Sequence, residues 1–204
     1  MFKREVLTGT LVELGLTPMS DPFDELCRKY DEPGRYYHTS RHIAECLYQW
    51  DIHRALCEKQ GEVAVAIWFH DAIYDTHRHD NEEQSAAWAD DYLMSEGMDA
   101  DAVERITAII RCTKTHNGRS TDERLMSDID LAVLGADPVT FSRYDADIRK
   151  EYSWVPDEAY RSARGRVLRG FLNRERIYFT HNFHQQYELQ ARENIRLCIE
   201  RLGE

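Results

Sequence analysis

Two adjacent side chains, His70 and Asp71, stand inside an otherwise apolar run, Ile67-Trp68-Phe69-His70-Asp71-Ala72-Ile73-Tyr74-Asp75. An imidazole and an ionised carboxylate are costly to desolvate unless a cation or hydrogen bonds satisfy them. A bound metal ion would satisfy both at once; a buried His–Asp hydrogen bond without metal is the structural alternative. If an ion is held, further ligands and a proton donor must come from elsewhere in the chain. Upstream, Tyr36-Tyr37-His38-Thr39-Ser40-Arg41-His42-Ile43 sets His38 and His42 four residues apart, on one face of any helix covering both. One of the two could bind metal while the other meets a substrate, unless the spacing is a surface coincidence. Downstream, Asp128 and Asp130 lie in the mostly apolar stretch Met126–Leu134, where a carboxylate usually has a partner. Asp128 could instead cap its helix.

The elements that must position these groups read almost everywhere at the 3.6-residue period of helices. A first helix over Val6–Leu16 ends at Thr17-Pro18, and a short second one over Phe23–Tyr30 starts from Asp21 as N-cap with Pro22 in its first turn. Asp31-Glu32-Pro33-Gly34 is a turn. A long helix is expected from Thr39 to Gly61, and the His70-Asp71 pair falls in the next, about 62–74, where adjacent residues project about 100° apart. A polar loop over 75–81 follows, then helices near 82–96, 99–112, 122–135, 138–152, 157–173 and 182–202. No hairpin signal separates alternating runs, and there is no repeat or linker. The expected fold is all-α, a single domain over 1–204, with a metal-site core at about 35–135 and C-terminal helices at about 138–202. The last helix packs one apolar face into the core or forms a homodimer contact.

At 204 residues the chain can bury a sizeable core. Its 26 basic and 37 acidic residues give a net charge of -11, which argues against nucleic-acid polymers and anionic membranes as partners. A small phosphorylated substrate is not excluded, because a metal can neutralise its charge locally. The five cysteines form no CxxC pair, and no run approaches the roughly 20 apolar residues of a membrane span. They read as reduced, mostly buried thiols of a cytoplasmic protein.

The order His42, His70-Asp71 and a lone aspartate near 130, in an all-α chain, resembles the HD-domain superfamily of metal-dependent phosphohydrolases. Within it, Arg35-Tyr36-Tyr37-His38…His42-Ile43, Trp68–Asp75, Asp80-Asn81-Glu82-Glu83…Ser85-Ala86 and Asp128-Ile129-Asp130-Leu131 resemble a bacterial subgroup of predicted metal-dependent HD phosphohydrolases. These segments cover about residues 35–134. The resemblance implies an HD-like helical bundle, with His42, His70, Asp71 and Asp130 as metal ligands and His38 as the general acid. Asp130-Leu131-Ala132 is similar to the ligand segment of cyclic-nucleotide phosphodiesterases, which favours Asp130 over Asp128.

Two imidazoles and two carboxylates suit one divalent ion, Mn, Fe, Co, Ni, Zn or Mg, with a second ion open. Such an ion activates water near neutral pH and polarises a phosphoryl oxygen, while a nearby acid protonates the departing alkoxide. The implied activity is hydrolysis of a small phosphate ester or nucleotide. Asp75 and Glu82 are supporting catalytic candidates that could orient the water or bind a second ion. Asn81, Lys114 and His116 are candidates for substrate binding. Asp80 and Glu83 begin and cap the helix after the loop. His53, His77, His79, His181 and His184 read as surface residues. The basic stretch from Arg161 to Arg176 is either a solvated helix face or a phosphate clamp.

Two departures separate the chain from better-known relatives of this type. Guanosine tetraphosphate hydrolases resemble His-Asp-x-x-Glu-Asp at the pair, where this chain has Tyr74-Asp75. The Gly-Tyr-Pro segment of cyclic di-guanylate phosphodiesterases is missing. Two other functions fit the scaffold. A di-iron oxygenase would recruit His116 and Glu82 as extra ligands. A nucleotide-binding sensor would keep the pocket and lack turnover.

Overall fold

The computed structural model describes residues 1–203, whose regular elements are all helices, with no strand among them. The helices are α1 (Arg4–Glu13), α2 (Phe23–Tyr30), α3 (Ser40–His53), α4 (Gln60–Phe69), α5 (Asn81–Ser95), α6 (Ala100–Cys112), α7 (Thr121–Asp130), α8 (Pro138–Glu151), α9 (Asp157–Leu172) and α10 (His181–Leu202). None is long and apolar enough to cross a membrane. The chain divides into two compact units, Met1–Ile129 and a second beginning at Asp130. That division falls at the last residue of α7, so Asp130 ends a helix whose other residues belong to the first unit.

The first unit is built around α4. Every residue from Glu62 to Phe69 is buried, and α1, α3, α5 and α6 all pack against this helix. A helix that is apolar all round belongs in a core rather than on a surface. Its one charged member there, Glu62, is satisfied by a bidentate pair with Arg105 at 2.7 and 2.8 Å. At the other end of the chain's aromatic core, Phe2 packs against Trp68 with ring centres 4.8 Å apart.

Three expectations need correction. The helix beginning near Thr39 does not run to Gly61. It ends at His53, and a single 3-10 turn, Arg54–Leu56, leads into an extended residue, Cys57. The Asp122 carboxylate, accepting from the Glu58 and Lys59 N–H groups at 2.8 and 3.0 Å, ties down the start of α4. His53 is buried rather than surface-exposed, and burial holds its pKa below the usual value. Finally, α4 stops at Phe69 rather than near Tyr74, so the His-Asp pair leaves the helix end instead of lying within it.

The second unit comprises the 3-10 turn Leu131–Gly135 and helices α8 to α10. Helix α10 lies against the turn and against α9. Asn194 donates to the Leu134 and Ala136 carbonyls at 2.9 and 2.8 Å, and Tyr178 donates to the Leu131 carbonyl at 2.9 Å. The basic stretch is only partly a solvated face: Arg164 is buried against Asp145 at 3.1 Å, and Asp145 also accepts from the Cys198 thiol.

Glu188 is the polar hub of this unit. It accepts from the Ile177 and Tyr178 N–H groups at 3.0 and 3.2 Å and from Arg192 at 2.7 Å. Burial alone would raise its pKa, but those three donors outweigh it and hold the carboxyl below its ordinary 4.5. A carboxyl with a depressed folded-state pKa contributes stability that is complete above the unfolded value and is lost as pH falls through the folded one. Glu188→Gln is therefore expected to cost about 1.5–3 kcal/mol at pH 7, the worth of hydrogen bonds to a charged group. It should also flatten the loss of stability that the parent shows below about pH 4.5. Urea unfolding at pH 7 and pH 3.5 measures both effects, and an undiminished acid-side loss in the variant would assign it to other carboxylates.

Candidate metal centre

The end of α4 satisfies each of its last carbonyls with a named donor. A helix leaves its final four C=O groups without intrahelical partners unless the next residues supply them. Here the His70 N–H donates to Ala66 O at 2.9 Å and the Ala72 N–H to Phe69 O at 3.0 Å. The Tyr30 hydroxyl donates to Trp68 O at 2.8 Å, and His70 Nδ1 lies 2.9 Å from Ile67 O. Burial first, then the nearby Asp71 charge, push the Tyr30 hydroxyl well above its ordinary pKa, so it stays a donor. Ser85 then pins the departing chain, accepting from the Ile73 N–H at 3.0 Å.

This accounting fixes the chemistry of His70. A carbonyl only accepts, so the hydrogen in the contact with Ile67 sits on Nδ1. In the neutral ring Nε2 then carries the lone pair. That atom lies 3.2 Å from His42 Nε2 and 3.1 Å from Asp71 Oδ2, and His42 Nε2 is 3.5 Å from the same Asp71 oxygen. Three electron-rich atoms thus converge in a nearly closed site, with His42 and His70 buried and Asp71 17% exposed along its side chain. The arrangement calls for added positive charge, and the negative end of the α4 dipole beside it adds to that demand.

The spacing suits a metal ion. Donors about 2.1 Å from a common ion are about 3.0 Å apart at right angles and about 3.4 Å apart in a tetrahedron, bracketing most of the triangle observed. His42, Cys46, His70 and Asp130 also form a group that could hold an ion, with one donor atom of each lying within 4.8 Å of the others. Helix α3 supplies His42 and Cys46, the end of α4 supplies His70, and the end of α7 supplies Asp130. Asp128, fully buried, is not in this group. Two residues along a helix is a rotation of about 200°, so the two aspartates of α7 face opposite ways.

Cys46 was read from the sequence only as a buried thiol. The available signal was its place four residues after His42, on the same face of α3. Its sulfur is 3.7 Å from both ring nitrogens of His42. Equal distances put it beside the ring rather than ahead of the Nε2 lone pair.

His38 lies at the entrance to α3, half-buried, with its ring stacked on Tyr74 at 4.0 Å and edge-on to His42 at 5.9 Å. The remaining candidates gather on the loop that follows. Asn81 accepts from the Asp75 N–H at 3.1 Å and donates to its carbonyl at 2.9 Å, so both ends of its amide close the loop. Asp75 is exposed, and donation from the His77 backbone and side chain holds its pKa below the ordinary value. Lys114 donates to His79 O at 2.6 Å and faces Glu82 at 3.7 Å. His116 takes a left-handed backbone conformation, φ 47°, uncommon for a side chain of its size. Of the four expected ligands the donor group contains His42, His70 and Asp130 but not Asp71, whose place is taken by Cys46; none of Asp75, Asn81, Glu82, Lys114 or His116 belongs to it among the described residues. Compared with family models, curated proteins and solved structures, the chain matches none.

Proposed function

We propose that the chain is a divalent-metal-dependent phosphohydrolase of HD type acting on a small phosphate ester or nucleotide. The observation that carries this reading is the convergence of His42 Nε2, His70 Nε2 and Asp71 Oδ2 at the end of a buried helix, with Asp130 beside them. Asp71, which is outside the four-residue donor group, is taken as a ligand in preference to Cys46 because its Oδ2 lies 3.1 and 3.5 Å from the two imidazole Nε2 atoms, whereas the sulfur is 3.7 Å from both ring nitrogens of His42. When bound, the ion lowers the pKa of water and polarises a phosphoryl oxygen. His42, His70, Asp71 and Asp130 hold that charge in place. His38, held 5.9 Å from the His42 ring and stacked on Tyr74, donates a proton to the leaving oxygen. Asp75 and Asn81 set the loop beside it, and Lys114 with Glu82 borders that loop. No observation brings Glu82 or His116 close to His42 or His70, so none favours the di-iron reading.

The test is a panel of phosphate monoesters and nucleotides offered to the protein loaded with Mn, Fe, Co, Ni, Zn or Mg. At least one is expected to turn over. His38→Ala should lower kcat on it by about 10²–10⁴, the usual worth of a positioned acid, with metal content unchanged. A metal-loaded parent that turns over nothing in the panel would overturn the hydrolase reading, and a fully active His38→Ala protein would overturn the role of His38 as its acid.

A further inference from the structure

The geometry points to Arg35 as a positioning residue that locks the Asp71 segment to the His38 segment. The inference rests on the metal reading above. Arg35 lies on no helix, yet its side chain is only 2% exposed. Its Nη1 donates to Asp71 O at 2.7 Å and to His38 O at 3.2 Å. Its Nη2 donates to Ala72 O at 2.9 Å and to the Glu32 carboxylate at 3.2 Å. One nitrogen therefore holds the backbones of a proposed ligand and of the proposed proton donor. The second holds the next carbonyl along the turn.

Two aromatic rings keep the guanidinium in place. The Tyr30 ring centre is 5.4 Å from its central carbon and the Tyr74 ring centre 5.6 Å. Tyr30 also caps Trp68 O, and Tyr74 stacks on His38. Each neighbour of Arg35 is thus itself attached to one side of the site. The turn over 70–72 lies beyond the end of α4, where regular helical bonds no longer fix the backbone. Without Arg35, two carbonyls of that turn lose their donors, and the Asp71 carboxylate loses its aim toward His42 and His70. Lysine cannot substitute, because one ammonium does not reproduce a planar fork reaching three carbonyls.

The test uses the full chain and Co(II), whose visible absorption reports both affinity and coordination geometry. Arg35→Lys and Arg35→Met are each expected to weaken Co(II) binding by about 10–100-fold, the usual effect of removing a group that orients a ligand. At saturating Co(II) their spectra should differ from the parent's, a change that loss of stability alone does not produce. Glu32→Gln, which removes only the half-exposed partner, should bind within about twofold of the parent. Circular dichroism in chelator should show both Arg35 variants helical; if Arg35→Met fails to fold, Arg35→Lys alone decides. Parent-like affinity and spectrum in Arg35→Lys would overturn the inference. A parent chain that binds no Co(II) would overturn the metal reading itself, which is a distinct result.

Discussion

Replacing Asp71 by Asn should abolish metal binding while leaving the metal-free protein at least as stable as the parent. The two halves of this expectation come from the same geometry. In the parent, Asp71 Oδ2 and His70 Nε2 are 3.1 Å apart, and the Ile67 carbonyl commits the His70 proton to the other ring nitrogen. Without a cation these atoms oppose each other. An asparagine amide offers an N–H to His70 Nε2 and turns repulsion into a hydrogen bond, worth about 1 kcal/mol. With metal present the order reverses. An ion that binds only the folded parent stabilises it by about 2.7 kcal/mol at a hundredfold excess over Kd, which for a chain of this size raises Tm by about 5–10 °C. Thermal scans of both proteins in chelator and in excess Co(II) measure this directly. The parent should gain on adding metal and Asp71→Asn should not. An Asn variant destabilised by several kcal/mol in chelator would mean that Asp71 is structural.

The second large effect lies in the other unit. Gly135→Ala should destabilise the protein by about 1–3 kcal/mol or more, the cost of forcing atoms into a filled space. A Cβ at this position would lie 2.5 Å from Tyr187 Cβ, 2.7 Å from Tyr187 O and 2.9 Å from Tyr187 Cα. Two of these three atoms are backbone of α10, so no rotamer change relieves the clash. Retreat of the 3-10 turn is also blocked, because Asn194 holds the carbonyls on either side, Leu134 and Ala136. Gly170 is the control: it lies within α9, and a Cβ there meets nothing within 4 Å. Gly170→Ala should be neutral or stabilise by up to about 1 kcal/mol. The urea midpoint of Gly135→Ala should therefore fall while that of Gly170→Ala holds or rises; equal shifts would show that the α10 approach is not tight.

The helices were legible because their apolar periodicity survives to the surface of nearly every element. The polarity of α10 on one side and the uniform apolarity of α4 were both visible as pattern. The ends were less so. The stop at Phe69 depends on Tyr30, Arg35 and Ser85, all outside α4, and residues so remote leave no local signal. The sequence placed His42, His70 and Asp71 together by spacing and resemblance, and Asp130 over Asp128 by resemblance alone. The structure puts Asp130, and not Asp128, in a group that could hold an ion. Asn81 illustrates the reverse case. Its position after a polar loop suggested substrate contact, whereas its amide is engaged at both ends by Asp75. Cys46 was overlooked because a cysteine without a CxxC neighbour reads as a buried hydrophobe, although its i+4 relation to His42 was there to be read.

The central claim is that positive charge between His42, His70 and Asp71 is supplied by a metal ion. Elemental analysis of the protein purified without chelator, with reloading from solutions of Mn, Fe, Co, Ni and Zn in turn, tests it most directly. The parent should carry about one divalent ion per chain, as a single site of two imidazoles and two carboxylates requires, and His70→Ala should carry none. A parent chain that neither retains nor reloads any of these ions would contradict the claim.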